Sequence, residues 1–343
     1  MSKQLKIMLT VFIFVSCQGF AWAGSGEMGL STGSKTGSYI KIGRDIKNFL
    51  AISLGIDLAV IESQGSMENV RRLVDVSQNT MLAIVQSDVL NSLKRHKKAA
   101  LRETAEQLRL IYPLYNEVVH VLVRRDIQHF SELDGKNVNF GKEGSGTAMT
   151  AGNLFELVGI QSGEETHLGD KKAFLKLLEG EIDAMFYVGG TPNHFFLEKF
   201  QTVLSDPQWK SKMDAIHFLP LDDLGKPSGE YVSDSLKTAD YPWLKKDVPT
   251  LAVKALLVTL DFSTKQDEYH RLRCRQMGQL ARALKRNLDK LKKNGEASDK
   301  WQQVKLEDAP EIWQLDGCAH AKAKTAEDRL CEALYGKGAK ECQ

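Results

Sequence analysis

Asp57-Leu58-Ala59-Val60-Ile61, then Ser63-Gln64-Gly65-Ser66-Met67-Glu68-Asn69, then Met81-Leu82-Ala83-Ile84-Val85: the reading of these pieces decides the fold. The first and last are short apolar runs, which suit strands buried on both faces of a parallel sheet. The middle piece is a Gly/Ser turn that opens a segment with helical spacing from Met67 to Leu73. A strand, a turn, a helix and a second strand in that order predict an open α/β sheet.

The layout recurs along the chain. Similar turns are Ser31-Thr32-Gly33-Ser34-Lys35-Thr36-Gly37-Ser38-Tyr39 and Gly141-Lys142-Glu143-Gly144-Ser145-Gly146-Thr147, with a glycine-free version at Gln86-Ser87-Asp88. A helix N-terminus carries unpaired N–H groups and the positive end of the macrodipole. Glycine allows close backbone approach, and hydroxyls add donors. Several such turns at one sheet edge make a cradle for a small anion, where open α/β sheets bind ligands.

After the first turn, Ile42, Ile46, Phe49 and Leu50 share one helix face. Leu108–Tyr115 reads as an apolar strand, followed by a longer β-rich segment, Glu117–Arg125. A second series follows: a strand at Val138–Phe140, a helix to about Val158, a strand at Glu165–Leu168, a helix over Phe174–Leu178 ending at Gly180, and a strand over Asp183–Val188. Gly189-Gly190-Thr191-Pro192 comes next, with Pro192 in the first turn of a helix reaching Phe200. Ala215–Leu219 is another strand, Leu251–Thr259 a second long one, and Lys265 to about Leu291 a helix. The two long β segments read as crossings between two lobes. Lobe 1 is 24–123 plus 250–343 and lobe 2 is 124–249.

The first residues read as a targeting segment. Lys3 and Lys6 precede the apolar run Ile7–Val15, and Ala21-Trp22-Ala23 fits a cleavage site, so residues 1–23 are expected to be a signal peptide cleaved after Ala23. The apolar run is short for an uncleaved membrane anchor. Lipidation at Cys17 is the other alternative, although Phe14-Val15-Ser16-Cys17 is a poor lipobox. The expected product is an exported, periplasmic protein. Its 46 Lys and Arg, less the two in the signal, balance 44 Asp and Glu. Overall charge therefore gives no reason to expect nucleic acid or an anionic membrane as partner. Lys94–Lys98 and Lys290–Lys293 read as solvated helix faces. Cys274, Cys318, Cys331 and Cys342 are an even set in an exported chain, which favours two disulfides of open connectivity.

Ser34, Thr36, Gly37, Ser38, Tyr39, Ser66, Gln86, Ser87, Gly144, Ser145, Gly146, Thr147, Tyr187, Gly189 and Thr191 are the candidate ligand-binding residues. The hydroxyls would meet ligand carboxylate oxygens, and Tyr39 and Tyr187 would pack on its carbon chain or on the cleft wall. Gln86 is either on the cleft floor or a helix cap. Asp88 reads as a cap or a charge beside the helix dipole, Glu68 and Asn69 as capping and interlobe contacts, His120 as structural, and Lys35 and Lys142 as solvated rather than adding positive field to the cleft. Gly24-Ser25-Gly26-Glu27-Met28-Gly29 has no strand before it and so lacks dinucleotide-binding context; no nucleophile elbow or H-E-x-x-H occurs. No catalysis, metal or cofactor is expected.

The ordered motifs resemble the TAXI solute receptors, the extracytoplasmic binding proteins of one class of TRAP transporters. Gly33-Ser34, Gly37, Tyr39 and Gly43 match the first family turn; Gly65-Ser66-Met67-Glu68-Asn69 the second; Ala83, Gln86 and Asp88 the third. Val119–Arg124, Gly144–Thr147, and Asp183-Ala184 with Phe186, Gly189 or Gly190 and Pro192 complete the set. The resemblance spans the mature chain. It implies a two-lobed type II periplasmic-binding-protein fold, each lobe an open, mainly parallel sheet with flanking helices, acting as a monomer. It also implies a small carboxylate such as glutamate in the interlobe cleft, lobe closure, and delivery to a TRAP membrane permease. The alternative is a ligand sensor of the same fold acting on a signalling partner. Lys35, Lys142, the extra glycine at 189–190 and the cysteine-bearing tail depart from the family pattern.

Overall fold

The computed structural model describes residues 26–205, 207–224, 230–265 and 267–321, with 330, 331, 334 and 335. The expected signal peptide, Cys17 and Cys342 lie outside the described residues. The strands are β1 Met28–Ser31, β2 Leu58–Ile61, β3 Thr80–Gln86, β4 Leu108–Arg124, β5 Asn137–Asn139, β6 Glu164–Thr166, β7 Ala184–Gly189, β8 Ile216–Phe218, β9 Val232–Leu236 and β10 Val248–Leu260. The α-helices are α1 Ser38–Asp45, α2 Ser66–Val74, α3 Val89–Arg95, α4 Ala99–Gln107, α5 Gly146–Val158, α6 Asp170–Glu179, α7 His194–Leu204, α8 Pro207–Asp214 and α9 Glu268–Lys293.

Two halves repeat one strand order. In the first, β2, β1 and β3 are parallel neighbours, and antiparallel β10 lies beside β3. In the second, β6, β5 and β7 are parallel neighbours, and antiparallel β4 lies beside β7. Each half thus borrows its antiparallel strand from a segment shared with the other. β4 and β10 pair along much of their length, Leu260 opposite Leu108 and Ala252 opposite Val118. This is the two-lobed α/β architecture of the type II periplasmic-binding-protein class, with two long strands as the bridge.

Period-two alternation explains why helices cover both faces. Leu82 and Ile84 of β3 pack with Ile42, Ile46 and Leu50 and with Met277, Leu280 and Leu284 of α9. Ala83 and Val85, pointing the other way, pack with Val70, Leu73, Val89 and Leu93. In the second half Val119, Val121 and Val123 meet Phe130, Phe140, Phe155 and Phe186. Val118 and Leu122 meet Phe174, Phe196 and Phe200. All seven residues of β3 are buried, as a doubly covered strand requires.

Some elements differ from expectation. Leu108–Arg124 is one continuous strand rather than two segments. The first helix passes into π-helical winding over Ile46–Ala51. The wider turn rotates the next side chains, so Phe49 is 36% exposed while Ile42, Ile46 and Leu50 are buried. Pro192 does not enter the first turn of α7. It precedes Asn193, whose side chain accepts from the Phe195 and Phe196 N–H groups and starts the helix at His194. In the tail Cys274 is joined to Cys318, stapling α9 to the segment after it, and Cys331 is also disulfide-bonded.

One side chain ties the first half together. Asn69 on α2 is fully buried. Its Oδ1 accepts from Ser31 Oγ and Ser63 Oγ, and its Nδ2 donates to the carbonyls of Thr32 and Ile84, all at 2.6 Å. It therefore locks the ends of β1 and β3 to the turn after β2. The sequence reading of Asn69 as a capping or interlobe residue is corrected by these bonds: it is the internal tie of one lobe. Asn69→Leu strands the two carbonyls and two hydroxyls in a dry interior. Each unpaired buried group costs about 1–3 kcal/mol. The variant is expected to lose about 3 kcal/mol or more of stability in urea unfolding; a loss under about 1 kcal/mol would contradict this role.

Candidate functional site

The glycine turns meet where the two halves face each other. Gly65 adopts φ +127°, which side chains rarely allow, and leads into α2. Opposite it, α5 starts at Gly146 after Ser145, whose Oγ accepts from the Ala148 N–H at 3.1 Å. A Cβ on Gly65 would stand 3.3 Å from the Gly146 nitrogen. A Cβ on Gly146 would overlap the side-chain amide of Gln86 and stand 3.0 Å from Ser66 Oγ. The second and third turns, one from each half, are thus in direct backbone contact, and the buried Gln86 side chain lies against Gly146. It caps no helix. Ser66 Oγ fixes its backbone by accepting from the Gln86 N–H at 3.0 Å.

The other candidates fall into groups. Ser34 and Thr36 are exposed, Gly37 and Ser38 half-buried and Tyr39 buried. Ser87 is a joint: its Oγ accepts from the Lys254 N–H at 3.0 Å and donates to the Glu230 carbonyl at 3.2 Å. Thr147 Oγ1 accepts from the Val188 N–H at 3.2 Å, binding the third turn to β7. Gly144 adopts φ +76° in that turn. Tyr187 lies parallel to Phe195, centroids 6.2 Å apart, and edge-on to His120. Gly189 is required beside it, since a Cβ there would come within 2.8 Å of Tyr187 Cε1. Thr191 offers its carbonyl to Lys300 Nζ and to Gln303 Nε2.

Two buried ionisable side chains enter the same region from elements that the motif reading passed over. Glu117 sits in β4 where the chain crosses between the halves, opposite Val253 of β10. It is 6% exposed, and Oε2 accepts from Tyr39 Oη at 2.5 Å. Burial pushes its pKa up to about 8, opposed by the Tyr39 hydrogen bond. Lys300 is 5% exposed. It comes from the turn Asp299–Gln303, which Asp45 holds onto α1 by accepting from the Ser298 N–H and Trp301 Nε1, both at 2.8 Å. Burial lowers the Lys300 pKa. Its stem crosses Gly190, where a Cβ would stand 2.7 Å from Lys300 Cε, which explains the second glycine of that turn.

Asp88 is a cross-lobe tie, which corrects its reading as a cap. It stands at the start of α3 but makes no cap bond. Its Oδ2 accepts from Thr150 Oγ1 at 2.8 Å, Asn153 Nδ2 at 3.3 Å and Tyr231 Oη at 3.2 Å. Burial raises its pKa to about 6. Glu230, raised to about 7 by burial and then by Asp88, lies on the same side. His120 is structural as expected: Nε2 meets Tyr241 Oη at 2.7 Å, the ring stacks on Phe196, and burial lowers its pKa to about 4. Glu68 accepts from the Gln64 N–H at 2.8 Å and pairs with Arg72, so it caps α2. Lys35 and Lys142 are exposed.

Glu117 had one sequence signal, an acid inside an otherwise apolar strand. Lys300 had none, because its delivery depends on Asp45 and Trp301, far apart in the chain. The assembled groups are donors, acceptors and ionisable side chains held out of water, an arrangement suited to gripping a small polar molecule. Among the described residues no group of three or more His, Cys, Asp or Glu could hold a metal, and no helix is long and apolar enough to cross a membrane.

Two outcomes follow from this geometry. The folded state keeps the Glu117 proton between the ordinary carboxyl value and about 8, whereas the unfolded chain releases it near 4.5. Its contribution to stability is therefore full below about pH 4.5 and is lost as pH rises through about 8; Asp88 and Glu230 act in the same direction. Glu117→Gln, neutral throughout, is expected to flatten the fall in urea-unfolding stability between pH 5 and pH 8 by a few kcal/mol. An unchanged slope would contradict it. Gly146→Val places a branched side chain between the lobes while keeping α5 intact. Hydrogen exchange over residues 65–70 and 145–150 is expected to rise at least about tenfold, with the melting temperature lowered by no more than about 3 °C.

The sequence profile of the NMT1-like family matches residues 30–309. The chain belongs to that family. Among solved structures it is similar to the arginine-, lysine-, histidine-binding protein ArtJ of Geobacillus stearothermophilus, at 12% identity and a TM-score of 0.44, over 81% of this chain and 96% of that one. It is similar to the P235GK mutant of ArgBP from T. maritima at 14% and 0.42, over 78% and 90%. It is also similar to the GluR0 ligand-binding core of Nostoc punctiforme in complex with L-glutamate, at 15% and 0.39, over 76% and 93%.

Proposed function

We propose that this NMT1-like chain is an extracytoplasmic solute receptor of the TAXI type, taking up a small carboxylate such as glutamate or a relative. The lobes close on the solute and present it to a TRAP membrane permease. The single observation that carries the reading is the Gly65–Gly146 approach, in which turns from the two halves come within backbone contact around Ser66 and Gln86. Such an approach is expected of a clamp. The N-terminus of α5 supplies N–H groups and the positive end of a 13-residue helix at the closing surface. Ligand drives closure only if the closed state binds it better, which contacts from both halves provide.

Ser66, Gln86, Gly146 and Tyr39 are the central binding positions in this reading. Ser145, Thr147, Ser87 and Gly189 shape the turns. Ser34, Thr36, Gly37, Ser38, Gly144, Tyr187 and Thr191 form the rim and wall. Export and a periplasmic location belong to the same proposal, resting on the Lys3–Ala23 pattern.

A thermal-shift screen of the mature chain against amino acids, keto acids and dicarboxylates tests it. A ligand at one hundred times its dissociation constant adds about 2.7 kcal/mol, expected as a rise of about 5 °C. The best compound should also reduce the radius of gyration in solution scattering. No response to any small carboxylate would overturn the proposal.

A further inference from the structure

An even overall charge balance hides a local excess. The 26-residue helix α9 holds nine of the chain's 46 Lys and Arg, against two acids, Glu268 and Asp289. Periodicity sorts its side chains. Met277, Leu280, Ala281, Leu284 and Leu291 pack into the core with Ile46 and Leu50. At 3.6 residues per turn, Arg275, Arg282, Lys285, Arg286, Lys290 and Lys293 fall on the opposite side, in one stripe about 27 Å long. Arg282 is half-buried and the other five are exposed. Among the described residues none of the six makes an ion pair. Asp289 is the one acid within the stripe, and no large apolar side chain is exposed between Arg275 and Lys293. The Cys274–Cys318 bridge holds the helix to the segment behind it. α9 covers the face of the first sheet that carries Leu82 and Ile84, and α2 covers the other, so the stripe points away from the Ser66 turn.

The missing negative charge does not come from this chain. Residues 322–343 carry five Lys or Arg and four Asp or Glu, so the sequence that follows cannot neutralise the helix. A protein interface has an apolar, charge-poor centre, which this stripe lacks. A layer of lipid phosphates needs neither an apolar centre nor a matching shape, and each Lys or Arg close to it adds attraction. We propose that the outer face of α9 docks on an anionic phospholipid membrane, with the helix lying flat and its cations on headgroup phosphates. This goes beyond the receptor reading, because the contact holds the chain at the membrane whichever solute the cleft takes. The other basic cluster, Lys94–Lys98, is built differently. Its Arg95 pairs with Glu156, and Glu103 and Glu106 line the same surface hollow as Lys94 and Arg102.

Co-sedimentation of the mature chain with vesicles tests the proposal, using phosphatidylcholine alone or with phosphatidylglycerol at about 30%. At about 0.05 M salt the anionic vesicles are expected to bind at least about tenfold better, and raising salt to about 0.3 M should weaken that binding at least about fivefold. Lys285→Gln, Arg286→Gln and Lys290→Gln together should weaken it at least about tenfold. Lys94→Gln, Lys97→Gln and Lys98→Gln together remove the same charge elsewhere and should change it less than about twofold, with both variants folded by circular dichroism. Failure to sediment with anionic vesicles, equal binding to both kinds, or an equal loss in the two variants overturns the proposal. Retention on immobilised polyglutamate without any vesicle binding also overturns it and makes the stripe a face for an acidic protein. The receptor reading survives each of these results, since it stands or falls on solute binding.

Discussion

Four hydrogen bonds at one buried amide, Asn69, are the constraint on which the first lobe depends. A primary amide has two donor hydrogens and two acceptor lone pairs, and here every one is used. The partners come from the ends of β1 and β3 and from the turn after β2, so a single planar group sets the spacing of three sheet-edge segments. Those segments carry Ser63–Ser66 and Gln86, which meet Gly146 of the other half. Without that tie the turns would still form, but their mutual distance would be left to loops.

The second constraint is the pair of crossing strands. β4 and β10 each belong to both halves and pair with one another, Glu117 opposite Val253, so one sheet runs through the junction of the halves. Polar groups concentrate at this crossing, where the lobes meet and water is excluded. Glu117, Asp88 and Glu230 all have carboxyl pKa values pushed up by burial. Their common direction shows that desolvation outweighs the hydrogen bonds that each receives. Such groups lower stability as pH rises from the ordinary carboxyl value toward neutrality.

Much of this was legible beforehand. Apolar runs of four to seven residues, each followed by a glycine turn and an amphipathic segment, fix strand and helix order because the periodicities are local. The turns at 63–69 and 141–147 were legible as helix-opening turns for the same reason: glycine and hydroxyls before an amphipathic segment are a local pattern. Asp88 was misread because a carboxylate at a helix start usually caps it, and only the packing of α5 and Tyr231 against it offers better donors. Pro192 was misplaced by one residue pair because Asn193 is the stronger cap. Phe49 was misassigned because π-helical winding shifts the face, and periodicity assumes a constant turn.

Sequence alone determined the α/β class, the two repeated series, the long strands and the glycine turns that open the helices. These rest on contacts between near neighbours and on patterns with a fixed period. Tertiary structure alone decided which turns touch, that Asn69 is a tie, that Cys274 pairs with Cys318, and that Glu117 and Lys300 come close enough to feel each other's charge. Each of these joins residues tens to hundreds of positions apart. Their meeting depends on how two lobes and a tail pack, and no local pattern records where a distant side chain will arrive.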